Sequence, residues 1–285
     1  MGLDGRHTAG SGFIESFDSR YPTRVLETLL KDRATGRNII WADSEYEALG
    51  DGYMGDDEIT VDKITGLSSG VIKPRIAKEQ EHQSQRTRSH AEVFTPSWLC
   101  NRMNNDIDAV WFGRRDVFNA EAGQAWDTAP EPIAFPRARG HGWHAYVESP
   151  RLEITCSEAP FVCSRYDTVC GDTLPVEDRI GFLDRKLRVV SERTRTRKAW
   201  VKWAIAALKG SYGFEYQGDN LLRALQCARD VLRAPGRALG RRADRRGGRP
   251  GRVGCVVELL ADERPHVRGA DRQDGRRRPV GTLRL

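Results

Sequence analysis

Residues 211–225 read SYGFEYQGDNLLRAL, and they carry the clearest signal of the fold class. The segment 212–216 suits a β-strand because aromatic residues favour strands. From Asn220 onward the sequence suits a helix. A strand that leads directly into a helix is a repeating unit of α/β sheets. The chain is therefore predicted to belong to the α/β class.

A second stretch of this kind, RLEITCSEAPFV, covers residues 151–162. Leu152 and Ile154 are the apolar residues of a predicted strand, and a tight turn and then a helix should follow. Glu153 lies near the carboxyl end of that strand, and in doubly wound folds cofactors bind beyond those ends. The alternative interpretation is an ordinary buried strand and turn.

Two apolar stripes between these strands predict helices. The stripe over residues 176–192 is most simply core packing, and it consists of Ile180, Leu183, Leu187 and Val190. Over residues 196–209 the apolar positions are Trp200, Trp203, Ala204 and Leu208. These helices would be an insertion, because they separate Glu153 from Glu215 by far more than the roughly 20 residues of a simple nucleotide-binding unit.

The region before residue 90 predicts mixed secondary structure. Residues 24–31 have helical spacing, and residues 38–42 (NIIWA) suit a short strand. Residues 72–77 suit an edge strand, because Pro74 cannot donate to a central ladder.

A capped helix is predicted from residues 91–105, AEVFTPSWLCNRMNN. Thr95 is a good N-cap and Pro96 suits the first turn. The free N–H groups at such a helix start favour a carboxylate or a phosphate. The predicted apolar face consists of Trp98, Leu99 and Met103.

Three of these stretches, in this order, resemble the S-adenosylmethionine-dependent N6-adenine DNA methyltransferases of restriction-modification systems. The pentapeptide EVFTP at positions 92–96 resembles their F-x-P type motif. The resemblance implies that Phe94, Thr95 and Pro96 contact the methionine end of the cofactor.

Residues 152–162 resemble the family's L-D-P-A-C-G-S-G-A-F-L type motif. The alignment puts Glu153 on the acid and Cys156 on the cysteine. Ser157 and Ala159 fall where the family has glycines. A turn with positive φ would be strained at these two residues, because each carries a Cβ.

Gly213 and Glu215 match the family's second cofactor motif, in which a glycine, one residue and an acid precede a helix. The resemblance implies that the Glu215 carboxylate accepts both ribose hydroxyls of the cofactor. Gly181 with Asp184 is a competing placement. We prefer Glu215 because the predicted strand and helix flank it correctly.

The resemblance implies a partial Rossmann-like methyltransferase sheet preceded by a mixed α/β N-terminal region. Four parts are expected along the chain. They are an N-terminal region over 1–90, a cofactor-contact helix with a connecting segment over 91–150, the start of the Rossmann-like domain over 151–226, and an Arg- and Gly-rich disordered tail over 227–285.

The composition changes near residue 226. Residues 228–285 contain sixteen Arg, no Lys and seven Asp or Glu, a net charge of +9; the whole chain carries +6, so residues 1–227 carry −3. All 23 aromatic residues precede position 217, and a segment without them buries too little surface to offset its ordering entropy. We interpret the tail as the product of a frameshift in a GC-rich gene. A disordered tail and an Arg-rich arm for nucleic acid are the alternatives.

The family transfers the methyl group with an N-P-P-Y type motif. Neither N-P-P nor D-P-P followed by an aromatic residue occurs in the chain, so we expect a methyltransferase-like component that is catalytically incomplete. The resemblance implies double-stranded DNA as a partner, together with a cognate restriction endonuclease or specificity subunit. The absence of a secretory signal and of a long apolar run predicts a cytoplasmic location and no membrane partner.

Two other classes of function stay open. A Mg²⁺-dependent nuclease would use Glu158 or Asp167 with Asp184, Arg185 and Lys186, and a non-catalytic nucleic-acid-binding protein would use the Arg-rich tail. The six cysteines are predicted to be reduced, mostly buried thiols rather than zinc ligands. Three of them recur at intervals of seven, whereas the paired ligands of zinc sites usually lie two to four residues apart.

Overall fold

The described part of the chain comprises residues 21–32, 35–78, 95–233 and 281–284 of a computed structural model. Six α-helices and five strands within it form a mixed α/β structure, which confirms the predicted class. In chain order they are α1 (Thr23–Leu30), α2 (Ser97–Phe112), β1 (Asn119–Ala122), β2 (Ala125–Thr128), α3 (Trp143–Glu148), β3 (Arg151–Ile154), α4 (Phe182–Arg193), α5 (Arg197–Lys209), β4 (Ser211–Glu215), α6 (Gly218–Arg233) and β5 (Gly281–Arg284).

The larger sheet has the strand order β3-β4-β5. β3 and β4 are parallel, with Glu153 opposite Gly213, and β5 is antiparallel to β4. A parallel pair needs a crossover connection, and α4 and α5 lie within it, as the two apolar stripes predict. β1 and β2 form a separate two-stranded hairpin.

The crossover helices pack through the predicted apolar positions. Leu183, Leu187 and Val190 of α4 are almost fully buried. On α5 the buried side consists of Trp200, Ala204, Ala207 and Leu208. The core therefore forms where these two helices meet each other and the neighbouring α3.

Two strands predicted in the N-terminal region are wrong. Residues 38–42 form only single bridges, Lys31 with Asn38 and Ile40 with Glu58, because Ala42 takes a positive φ of 68° that ends the extended chain. Residues 72–77 end in a 3-10 turn in which the Ala77 N–H donates to the Pro74 carbonyl at 2.9 Å. The predicted helix over 24–31 is confirmed as α1.

The N-terminal region is joined closely to the start of α6. The Gly218 N–H donates to the Trp41 carbonyl at 3.1 Å, and the Tyr46 hydroxyl donates to Asp219 at 2.8 Å. A Cβ at Gly218 would collide with the Ile40 carbonyl oxygen. Glycine is therefore required at the first residue of α6.

The buried face of α2 differs from the prediction. Met103 is 49% exposed, whereas Asn101, Asn104 and Asp108 are buried. The Asp108 carboxylate accepts hydrogen bonds from Tyr146 at 3.0 Å, from Arg151 at 2.8 Å and from Arg185 at 2.6 Å. A polar side of α2 can face inward because these partners compensate the buried charge of Asp108.

The predicted tail is only partly described. α6 continues to Arg233, beyond the expected start of the tail at residue 227, and residues 281–284 form β5. Residues 234–280 lie outside the described residues, as do residues 79–94. No helix in the ranges that the structure describes combines the length and hydropathy that a membrane crossing requires.

Candidate functional site

The carboxyl end of the parallel pair brings two predicted site residues onto neighbouring strands. Glu153 lies on β3 opposite Gly213, and Glu215 ends β4 two residues later. Burial raises the pKa of Glu153 well above its ordinary value. The nearby N–H groups of Val162 and Phe161 oppose the rise in pKa, while the charge of Glu215 adds to it.

One oxygen of Glu153 has no hydrogen-bond partner among the described residues. Its buried Oε2 atom forms no hydrogen bond with any described residue. A buried polar atom without a partner costs free energy, on the order of 1–3 kcal/mol, and such atoms in folded proteins call for an explanation. A ligand that donates to Glu153 would supply the missing bond.

Glu215 fixes the position of the loop after β3, which is the candidate cofactor-binding loop. Its Oε2 accepts the Ser157 N–H at 2.5 Å, and its Oε1 accepts the N–H groups of Tyr216 and Gln217, each at 3.0 Å. Burial raises the pKa of Glu215, and these three donors oppose the rise. An ionised carboxylate has about four lone-pair sites, so acceptor capacity is left for a ligand.

The loop after β3 has a backbone conformation typical of glycine-rich loops. Thr155, Ser157 and Ala159 have φ values of 55°, 48° and 59°, in the left-handed region that favours glycine. Two of these three residues, Ser157 and Ala159, stand where the resembled motif has glycines. The strain expected from their Cβ atoms is therefore present in the fold.

No helix follows this loop, so that prediction is wrong. The carbonyl oxygens of Phe161 and Val162 instead accept the first N–H groups of α4, those of Phe182 and Leu183, at 2.8 and 2.9 Å. These carbonyls therefore complete the start of α4 and cannot continue a helix of their own. Gly181 permits this contact, since a Cβ there would collide with the Val162 carbonyl.

Cys156 is buried within electrostatic range of both carboxylates. Burial raises the pKa of its thiol, and the charges of Glu153 and Glu215 raise it further. The thiol therefore stays neutral and fills space. All five cysteines in the described ranges are free, and four of them are buried.

The start of α2 lies within electrostatic range of Glu153. Burial raises the pKa of Cys100 in the first turn, and the charges of Glu153 and Asp167 contribute. α2 begins at Ser97, so Pro96 is the N-cap residue and Thr95 precedes it. The Ser97 N–H donates to Asp167 at 2.6 Å, so the anion expected at this helix start is a carboxylate of the chain itself. Phe94 lies outside the described residues.

The acids of the competing interpretations have structural partners. Asp184 caps α4 by accepting the N–H groups of Ser164 at 2.8 Å and Gly181 at 3.2 Å. Glu158 accepts the Tyr166 hydroxyl at 2.5 Å, and Lys186 donates to two backbone carbonyls. Among the residues that the structure describes, no group of three or more His, Cys, Asp or Glu could hold a metal ion.

Tyr216 adjoins the site and is not among the residues predicted from the sequence. Tyr216 directly follows Glu215 and is 58% exposed, so its ring offers a flat apolar surface at the edge where the carboxylates lie. The usable signal was an aromatic residue immediately following the acid.

Comparison with known proteins gives no match: no family model fits the sequence, and no curated protein or solved structure is similar to the chain.

Proposed function

We propose that the chain is a DNA adenine N6-methyltransferase-like component of a restriction-modification system and binds S-adenosylmethionine at the carboxyl end of β3 and β4. The observation that carries the proposal is the pair of glutamates, Glu153 and Glu215, flanking a loop with left-handed residues. In that arrangement the remaining acceptor site of Glu215 would accept one ribose hydroxyl, where the resemblance implied both, and Tyr216 would cover one side of the adenine ring.

Glu153 fits the other end of the same ligand. Its buried Oε2 lacks a partner among the described residues, and the ammonium and sulfonium groups of S-adenosylmethionine are positively charged. A cation near Glu153 would favour the ionised carboxylate, which burial otherwise disfavours. The bound ligand would thereby satisfy both the orphaned oxygen and the charge.

Methyl transfer by these 285 residues alone is not expected. The chain contains no N-P-P-Y type motif to hold the adenine amino group. Incubation of the protein with adenine-containing duplex DNA and the cofactor should therefore leave no N6-methyladenine that mass spectrometry can detect. Detectable methylation by the purified protein would overturn this part of the proposal.

Isothermal titration with S-adenosylmethionine tests the binding site. We expect Glu215→Gln to weaken binding at least tenfold, since the charge-assisted hydrogen bond to the ribose would be lost or weakened. Glu121→Gln, on the exposed strand β1, is the matched control and should bind as the unchanged protein does. Thermal unfolding of both variants must be similar for the comparison to hold. Equal affinity of the two variants for S-adenosylmethionine would show that Glu215 does not contact it.

A further inference from the structure

One side of α5 presents positive charge to the solvent. Residues 193–214 contain six Lys or Arg and no Asp or Glu. Arg195, Lys198 and Lys202 are exposed, and the two lysines share a side of the helix because they are four residues apart. Residues 1–227 carry a net negative charge, so this concentration of cations is a local feature.

A cluster of three aromatic rings lies beside one of these cations, Lys202. The centroids of Trp143 and His144 on α3 are 3.7 Å apart, and those of His144 and Trp203 on α5 are 4.3 Å apart. The Lys202 Nζ lies 5.3 Å from the centroid of Trp203. The His144 side chain is exposed and both tryptophans are half-buried. We name this surface the α5 face, and it comprises Trp143, His144, Arg195, Lys198, Lys202 and Trp203.

We propose that the α5 face binds single-stranded nucleic acid. Its cations would contact phosphates, and an unpaired base would stack on the exposed aromatic group. Sites that bind single strands combine a positively charged track with aromatic side chains, because every base has a π-face to stack. An acidic protein would use the cations but leave the rings without a role.

The α5 face is independent of the adenosyl site proposed above. Its residues belong to α3, α5 and the segment before α5, whereas the glutamates end β3 and β4. The side of α5 that holds the fold together faces the opposite way, through Trp200, Ala204 and Leu208. The exposed cations can therefore be replaced without removing core packing.

Fluorescence anisotropy of the full chain with a labelled oligothymidylate of about twenty nucleotides tests the charged part. At about 0.1 M salt the double variant Lys198→Ala/Lys202→Ala should bind roughly tenfold more weakly. The plot of log affinity against log salt should become shallower by about 1.4 units of slope, because two phosphate contacts are lost. Lys31→Ala/Lys73→Ala removes the same charge elsewhere and should change binding less than twofold. Equal losses in the two double variants would overturn the proposal.

A second variant tests the stacking part. His144→Ala should weaken binding of the oligothymidylate about fivefold or more, and should not change binding of an abasic oligonucleotide of the same length. Equal effects on both oligonucleotides would mean that the ring does not stack on a base. The Arg-rich tail is present in every variant, so its contribution cancels. Unchanged affinity for S-adenosylmethionine in these variants would keep a failure here distinct from a failure of the proposed function.

Discussion

At the scale of single residues, the loop after β3 stores strain at positions where glycine would relieve it. Ser157 has a φ of 48°, and a left-handed residue with a Cβ costs roughly 1–2 kcal/mol. We expect Ser157→Gly to raise the free energy of unfolding by about 0.5–1 kcal/mol, because the entropy cost of glycine offsets part of the gain. Urea unfolding measures the change.

Ala206→Gly is the control for that substitution. Ala206 lies inside α5, where glycine should lower the free energy of unfolding by about 0.5–1 kcal/mol. A loss of stability at both positions would show that the left-handed conformation of Ser157 is not strained.

Part of the site was predictable at this scale. The sequence placed Glu153 and Glu215 at the ends of two strands, and the parallel pairing brings those strands side by side. The capping of α2 by Asp167 was not predictable, because 70 residues separate Asp167 from Ser97 along the chain. Local patterns do not carry the partner of a long-range hydrogen bond.

At the scale of elements, a buried ion network joins α2 to α3, β3 and α4. Asp108 is its centre, with Arg151, Arg185 and Tyr146 as donors. We expect Asp108→Ala to lower the free energy of unfolding by about 3–5 kcal/mol, because two buried guanidinium groups would lose a charged partner. Chemical denaturation of the purified variant checks this value.

Asp106→Ala on the same helix is the matched control. Its side chain is 56% exposed and lies 3.5 Å from Arg115, so the change should stay within about 0.5 kcal/mol. Similar losses in the two variants would mean that α2 depends on its overall charge and not on the buried network.

The contrast between this polar network and the apolar core explains which helix faces the sequence predicts well. The crossover helices α4 and α5 bury apolar stripes, and apolar spacing is the signal that sequence reasoning uses. α2 buries asparagines and Asp108 instead, and its stripe of Met103 and neighbouring residues pointed to the wrong face. A polar interior is set by partners on other elements, so local spacing does not reveal it.

At the scale of the whole molecule, one buried lysine should make stability depend on pH. The Lys186 Nζ donates to the carbonyls of Ser149 at 2.6 Å and Gly210 at 2.9 Å. Burial lowers its pKa from 10.5 to about 7. Between those values the unfolded chain binds a proton that the folded protein does not bind, so stability should rise with pH.

The comparison with Lys186→Met isolates this effect. Relative to that variant, the protein should gain up to about 1.4 kcal/mol per pH unit between about pH 7 and 10. Lys73→Met, at an exposed position, should show no such slope when compared in the same way. Thermal denaturation at several pH values provides the measurement, and parallel curves for the protein and Lys186→Met would contradict the expectation.

The close approach of Gly218 to the Ile40 carbonyl has a consequence for how the protein opens. Because the Gly218 N–H donates to the Trp41 carbonyl and Tyr46 donates to Asp219, the segment around Trp41 cannot separate from α6 without breaking these hydrogen bonds. Amide protons of the two segments should therefore exchange with deuterium at similar rates, as one cooperative unit. In limited proteolysis, the first cleavages should accordingly fall outside the segments around Trp41 and Gly218.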